Sequence, residues 1–177
     1  VENINTGINR TTEIIGSLMT FSRTGELVYT ECDLIEAVKN TMLLLHSKYV
    51  NRIVIVEKYD EVPTLKCSKS SINQMIMNLL VNAIDAIEGK GTIQIAISER
   101  ANKNEILLSV KDSGVGIPDD KIDKIFDPFF TTKDVGKGTG LGLYLTYNIV
   151  QQHEGRIEVK SELGVGTEFL VFLPVKK

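Results

Sequence analysis

The sequence carries little that would bind a partner by bulk charge or staple itself covalently. Lys and Arg number 20 against 23 Asp and Glu, a formal net charge of −3, and the basic residues are dispersed. That argues against the basic groove of a nucleic-acid binder and against general attraction to an anionic membrane. Cysteine occurs twice, at Cys32 and Cys67, in neither a metal-ligand nor a redox-motif spacing. Two reduced thiols in a cytosolic protein are therefore expected. No uninterrupted apolar run approaches the roughly 20 residues of a membrane-spanning helix, and no signal peptide opens the chain. The first residue is Val rather than Met, as expected of a piece of a longer protein. No internal repeat or low-complexity tract is present.

What remains is ordinary for a globular protein. The 177 residues suit one domain with an appended element, and the apolar share of 42% is enough for a real core. Residues 1–22 read as an amphipathic helix, with Ile4, Ile8, Thr11, Ile15 and Leu18 at spacings of four and three, ended near Gly25. Such a stripe needs a partner helix. Asp33, followed by Glu36, starts a second helix with Leu34, Val38, Met42 and Leu45 inward. Residues 53–59 are β-branched and read as a strand, and Thr64–Lys66 as a short one. Ser68 begins a long helix to about Ile87. Strand-like residues 92–98 and 105–111 form a hairpin around Ala101–Asn104. A short helix near 118–124, a glycine-rich stretch, a helix over 141–152 and a hairpin of 156–161 with 167–173 complete the chain. This order predicts an α/β (α+β) sandwich, one layer of helices on a mixed, largely antiparallel sheet.

Four clusters carry the chemistry. Asn78, Asn82 and Asp85 fall at i, i+4 and i+7, on one face of the long helix. A solvated polar face would explain any one of them, but a carboxamide oxygen there also suits Mg²⁺, a hard ion that takes few protein ligands. The second cluster is Asp112-Ser-Gly114-Val-Gly116-Ile117-Pro118, directly after a strand. Its glycines permit close approach of a ligand, and Asp112 can accept a hydrogen bond from an exocyclic amine, although an ordinary Asp-Ser-Gly turn would read alike. The third is Phe126-Asp-Pro-Phe129-Phe-Thr131-Thr132-Lys133. Phe126 and Phe129 read as core plugs, and Thr131, Thr132 and Lys133 offer hydroxyls and a cation to phosphate. The fourth, Gly136-Lys137-Gly138-Thr139-Gly140-Leu141-Gly142, opens a helix, where freed backbone amides at a positive helix end make an anion site. No Gly-Lys pair is followed by Ser or Thr, so this is not a Walker loop, and the Gly-x-Gly-x-x-Gly pattern and the motifs of eukaryotic-type protein kinases are missing too.

In this order the clusters resemble the N box, first glycine box, F box and second glycine box of sensor histidine kinases, within the superfamily shared with gyrase, heat-shock chaperone and mismatch-repair ATPases. The resemblance covers about residues 33–177, and Gly164-Val-Gly166-Thr167 is similar to the family's closing segment. It implies a Bergerat-type fold holding ATP between the long helix and a lid over about 127–140. It divides the chain into the second helix of a dimerisation hairpin (1–24), a linker (25–32) and the catalytic ATP-binding domain (33–177).

It further implies that Asp112 reads the adenine amine, with Gly114, Gly116, Ile117 and Phe126 around the nucleotide. Asn82 holds Mg²⁺, and Asn78, Asn82, Lys133 and Lys137 form the catalytic set. Thr132, Lys133, Gly136, Lys137, Gly138, Thr139, Gly140, Leu141 and Gly142 surround the phosphates, and Thr167 lies near adenine. Superfamily members that hydrolyse ATP usually carry Glu where this chain has Asn78. Asn cannot take a proton from water, which favours transfer over hydrolysis. Asp85 replaces the Lys or Arg of some relatives, so an indirect role near adenine is expected of it rather than a phosphate contact.

The implied function is transfer of the γ-phosphoryl group of ATP to a histidine on the parent's own dimerisation domain, for relay to the aspartate of a response-regulator receiver domain. The implied setting is cytoplasmic for this segment, in a homodimeric parent for which a membrane anchor stays open, with no nucleic acid and no direct membrane contact by the segment itself. His46 and His153 lack the acidic neighbour of a family phosphoacceptor and read as structural, so the acceptor is expected upstream of Val1. The alternatives are a serine kinase of the anti-sigma type, which should lack the dimerisation helix, and a non-catalytic nucleotide-binding module.

Overall fold

The computed structural model describes residues 28–133 and 138–175. The helix expected over 1–22 lies outside them. The domain begins with a strand that sequence patterning missed, Thr30–Cys32 (β1), which pairs antiparallel with Leu65–Cys67 (β3). Three residues are too few to show a period of two.

The first helix, α1 (Leu34–Tyr49), starts where Asp33 predicts. The Asp33 carboxylate accepts from Ile35 N (2.8 Å) and Glu36 N (3.1 Å), satisfying two of the helix's orphan donors. Leu34, Val38, Met42 and Leu45 are buried as expected. The long helix α2 (Lys69–Ala86) begins differently from expectation: the Ser68 hydroxyl makes no capping bond and sits 3.0 Å from the hydroxyl of Ser71. The Ser68 amide instead donates to Nε2 of buried His153 (3.1 Å), whose Nδ1 lies 2.7 Å from Ile149 O. Because an amide N–H can only donate, Nε2 is the acceptor and Nδ1 carries the proton. At the far end, the Arg52 guanidinium donates to Ile84 O (2.8 Å) and Ile87 O (2.7 Å), and its Nε to Lys48 O (3.2 Å). One side chain thus closes the ends of α1 and α2.

The main sheet has the order β2-β4-β5-β7-β6, built from Ile53–Tyr59 (β2), Gly91–Arg100 (β4), Glu105–Asp112 (β5), Arg156–Glu162 (β6) and Gly166–Pro174 (β7). Only β2 and β4 run parallel; the other pairs are antiparallel. The remaining helices are short α3 (Asp119–Ile122) and α4 (Gly142–Gln152). Ile93, Ile95 and Ile97 of β4, Ile106, Leu108 and Val110 of β5 and Phe169, Val171 and Leu173 of β7 are buried in one core with Ile72, Met75, Ile76, Leu79 and Leu80 of α2.

The opposite face of the sheet is shielded by charged side chains. Phe172 is buried because the Arg156 guanidinium lies 3.7 Å above its ring centroid and that of Arg100 at 5.4 Å. Arg156 also pairs with Glu105 and, at 3.3 Å, with Glu158. Its stem and head cover apolar surface while the charge stays hydrated. The hydrogen bond from Arg156 holds the Glu105 carboxyl below the usual range, against the opposing effect of desolvation.

The expectation of two reduced thiols is corrected here. Pairing of β1 with β3 brings Cys32 and Cys67 to a Cα separation of 6.3 Å, and they are joined as a disulfide. The 35-residue gap between them hid a contact made by tertiary pairing.

Candidate nucleotide site

The site is assembled around the C-terminal half of α2. Asn78 and Asn82 are half-buried there and Asp85 is exposed. Three loops meet this helix, each at a named bond.

The loop after β5 is the first. Asp112 is buried at the end of its strand, 4% exposed. One carboxylate oxygen accepts from Gly114 N (2.8 Å) and Thr167 N (3.3 Å), which leaves the other outside those bonds. Burial pushes the carboxyl above the usual range, against the lowering effect of backbone hydrogen bonds from Gly114, Thr167 and its own amide. The loop is pinned to α2 by Val115 N donating to Ala86 O (3.0 Å). It is pinned to β6 by Ile117 N donating to the Ser161 hydroxyl (2.8 Å), which also lies 2.8 Å from that of Thr167. Gly116 has φ +71°, and a Cβ there would stand 2.1 Å from Glu162 O. No other residue fits that position without moving the β6–β7 turn.

The second loop carries the aromatic cluster. Phe126 packs its ring 5.6 Å from that of Tyr147 on α4, as a plug should. Phe129 does not follow that expectation: it is 63% exposed and adopts φ +67°. Its amide donates to Gly140 O (2.9 Å). Gly140 itself has φ +68°, and a Cβ there would lie 2.3 Å from the Phe129 carbonyl carbon. The two ends of the glycine-rich segment are thereby clasped backbone to backbone. Lys133, at the end of this cluster, forms a 2.7 Å ion pair with Asp85, both side chains about one-third exposed.

The third is the approach to α4. Gly138, Thr139 and Gly140 precede buried Leu141, and Gly142 opens the helix. Asn78 Nδ2 donates to Gly142 O (3.0 Å), while its Oδ1 accepts from Gln74 Nε2 (3.0 Å). Both ends of the Asn78 amide are engaged: the bond from Gln74, within α2, orients it, and its Nδ2 joins α4 to α2. Together with the His153–Ser68 bond, this pins α4 to α2 near both of its ends.

Direct contacts thus join Asn78 to Gly142, Asp85 to Lys133 and the Asp112–Ile117 loop, with Thr167 on Asp112, to the helix that also bears Asn82, while Gly140 is clasped to Phe129 and Phe126, Thr132, Gly138, Thr139 and Leu141 lie on the flanking loops. Gly136 and Lys137 lie outside the described residues. Sequence reasoning missed Ser161, Gln74 and Arg52. Gln74, one helical turn before Asn78, was visible in the spacing. Ser161 had no local signal, since a strand pairing brings it to the loop. A single neutral oxygen at Asn82 fits Mg²⁺, which keeps most of its waters. Among the described residues no group of three or more His, Cys, Asp or Glu side chains forms a metal cage.

Residues 67–177 match the family described as Histidine kinase-, DNA gyrase B-, and HSP90-like ATPase. Among curated proteins, the chain is 32% identical over 176 residues to Sporulation kinase E of Bacillus subtilis, covering 98% of this chain and 23% of that protein. It is 34% identical over 169 residues to the sensor histidine kinase ZraS of Escherichia coli K12, covering 94% of this chain and 36% of ZraS. The chain thus spans about a quarter to a third of the length of these relatives. A nucleotide-free catalytic domain of the histidine kinase ThkA superposes with a TM-score of 0.75 at 31% identity, covering 84% of this chain and 99% of that one. ThkA in complex with the response regulator protein TrrA gives a TM-score of 0.82 at 26% identity, covering 99% and 50%.

Proposed function

The chain belongs to the family of histidine kinase-, DNA gyrase B- and HSP90-like ATPases, as a catalytic domain of the histidine kinase branch, and from that premise we propose that it binds Mg²⁺-ATP and transfers the γ-phosphoryl group to a histidine on the dimerisation domain of its parent. The observation that carries this reading is Asp112, a buried carboxylate with one oxygen fixed by two backbone amides. Its other oxygen accepts the exocyclic amine of adenine, and a 6-oxo purine offers no donor there. The loop that follows it is bonded to Ala86 on the helix that bears Asn82, so the base and phosphate ends of the nucleotide are referred to one rigid element.

Asn82 offers its amide oxygen to the metal. Bound there, Mg²⁺ would supply positive charge to offset the charge that develops on the phosphates. Lys133 leaves Asp85 for the phosphates, and the amides around Gly138–Gly140, with Gly136 and Lys137, wrap them as the segment between Asp127 and Gly140 closes. Asn78 orients rather than reacts, since its amide is committed to Gln74 and Gly142. The residues position and neutralise and perform no covalent step of their own, as suits phosphoryl transfer. The nucleophile is a histidine nitrogen upstream of Val1. The receiving partner after that is the aspartate of a response-regulator receiver domain, in a homodimeric parent whose catalytic segment lies in the cytoplasm. Among the described residues no helix is long and apolar enough to cross a membrane.

The test is labelled ATP with this chain alone, then with the parent's dimerisation domain added, scored for acid-labile phosphate. Label on the added domain only is expected. Label on His46 or His153 of the chain alone would move the acceptor into this segment. No label with the acceptor present would reduce the chain to a nucleotide-binding module.

A further inference from the structure

The two cysteines stand outside everything assigned above to nucleotide binding. Cys32 ends β1 and Cys67 ends β3, diagonal to each other across the small two-stranded sheet, and both are buried at 5% and 2% exposure. Each directly precedes the cap residue of a long helix, Asp33 before α1 and Ser68 before α2. Their bond therefore ties the strand through which the chain joins the domain to the base of the helix that bears Asn78 and Asn82.

Among the described residues, few further contacts fix β1 beyond the ring of Tyr29 against that of His153 (5.4 Å). The strand has three residues and a single neighbouring strand, and a pair that short is marginal without a further tie. Around it, the Tyr29 hydroxyl donates to Gln152 O (3.1 Å) and the Thr64 hydroxyl to the Glu31 carboxylate (2.5 Å), both in exposed settings. Cys32 also lines a cleft of about 90 Å³ shared with Asp33, Glu36, Lys69 and Asn73. That space, about the size of a few waters, lies beside Cys32.

We propose that Cys32 and Cys67 form a reversible dithiol–disulfide site whose oxidation by a hydroperoxide fastens β1 to β3. In the oxidising step, the Cys32 thiolate attacks a peroxide oxygen, giving a sulfenic acid and releasing hydroxide, which leaves as water. The Cys67 thiolate then attacks the Cys32 sulfur and expels the hydroxyl as a second water. Two thiols and one hydrogen peroxide become one disulfide and two waters, with two electrons passing from sulfur to oxygen. A dithiol reductant reverses it by exchange, ending as its own cyclic disulfide. In a reducing compartment the pair rests as thiols, with β1 held only by its backbone pairing and the packing around it.

The experiment uses the whole chain, reduced with dithiothreitol, freed of it and titrated with hydrogen peroxide. Thiol alkylation with intact mass measurement follows the bond. Thermal unfolding and amide exchange at Glu31 and Cys32 follow its consequence. Oxidised protein should resist alkylation until reduced again. It should melt higher than the reduced form by on the order of 5–15 °C, from closing a loop of this length, and exchange more slowly at β1. Cys32→Ser and Cys67→Ser should show no peroxide-dependent rise, and the reduced-versus-oxidised comparison of the wild type needs neither variant to fold. Over-oxidation to sulfinic acid without a disulfide would overturn the proposal. So would a disulfide that forms yet leaves melting and exchange at β1 unchanged, or one that dithiothreitol cannot reopen in the folded chain.

Discussion

Replacing Asp112 by Asn separates binding from folding, because affinity should fall while stability does not. The side chain is buried, and one of its oxygens accepts from Gly114 N and Thr167 N. An Asn oxygen can keep both bonds, so the turn survives. The other oxygen becomes an NH₂ group, which meets the adenine amine donor to donor. Loss of a hydrogen bond to a charged acceptor is worth about 1.5–3 kcal/mol, roughly a 10- to 150-fold weaker Kd for ATP.

Stability should not fall with affinity. Burial raises the Asp112 carboxyl above its usual range despite the backbone hydrogen bonds that oppose it, so the folded state disfavours the charged form. The stabilising contribution of this group is present below its unfolded value and is lost as pH rises through the folded value. At neutral pH a neutral Asn therefore leaves stability unchanged or raises it. Affinity for ATP in the wild type runs the other way, falling on acidification at a pH above the ordinary carboxylate range, because the acceptor must be ionised. The checks are calorimetry with ATP across pH and thermal unfolding of both proteins. A variant that binds ATP as tightly as wild type, or one whose weaker binding comes with a melting point several degrees lower at neutral pH, would refute the reasoning.

Four further outcomes are expected. Asp85→Asn removes the resting partner of Lys133, and a pair this exposed is worth at most about 1 kcal/mol; the Kd for ATP should tighten by no more than about fivefold, and calorimetry showing weaker binding would mean that Asp85 itself serves the nucleotide. Asn78→Ala removes the donor that ties the Gly142 carbonyl to α2, leaving it the Thr146 hydroxyl of its own helix, at a cost of about 1 kcal/mol; amide exchange at the start of α4 should speed up and the KM for ATP should rise several-fold in the parent. Gly140→Ala places a Cβ 2.3 Å from the Phe129 carbonyl carbon at φ +68°, so the clasp opens; nucleotide affinity should drop at least about tenfold while strands β4–β7 keep their exchange protection. Asn82→Ala should abolish Mg²⁺-dependent phosphorylation in the full-length parent while circular dichroism and melting stay near wild type, and normal turnover would place the metal elsewhere.

Most of this architecture was legible because its signals are local. The spacing of Ile72, Met75, Ile76, Leu79 and Leu80 is helical, and the β-branched run at 53–59 ends as a strand at those same residues. Asp33 as a cap and the hairpin turn near Asn104, which takes φ +53°, follow from side-chain chemistry and chain geometry. What failed to show was whatever depends on a distant partner. The β1–β3 pair and its disulfide join segments 35 residues apart, and the amide of Ser68 finds its acceptor 85 residues later in His153. Phe129 illustrates the same limit from the other side. An aromatic in a hydrophobic-looking run reads as core, yet the clasp to Gly140 forces φ +67° and turns the ring outward.

The same division explains why Asn78 could be found from sequence but not understood. As a lone amide on a helix it reads as part of a solvated polar face or as a carboxamide suited to Mg²⁺, or as the residue standing where hydrolysing relatives usually have Glu. In the fold its Nδ2 donates to Gly142 O and its Oδ1 accepts from Gln74 Nε2. A carboxylate could keep the second bond but not the first, because it would face the carbonyl of Gly142 with an acceptor. Installing Glu at this position would therefore repel the start of α4 at the very point where the glycine-rich segment joins it. The residue that would activate water and the residue that anchors α4 cannot be the same side chain here. On the proposed function, that arrangement suits transfer to a presented acceptor: the Asn78 amide is committed to joining two helices, and no carboxylate stands at this position to recruit water in the acceptor's place.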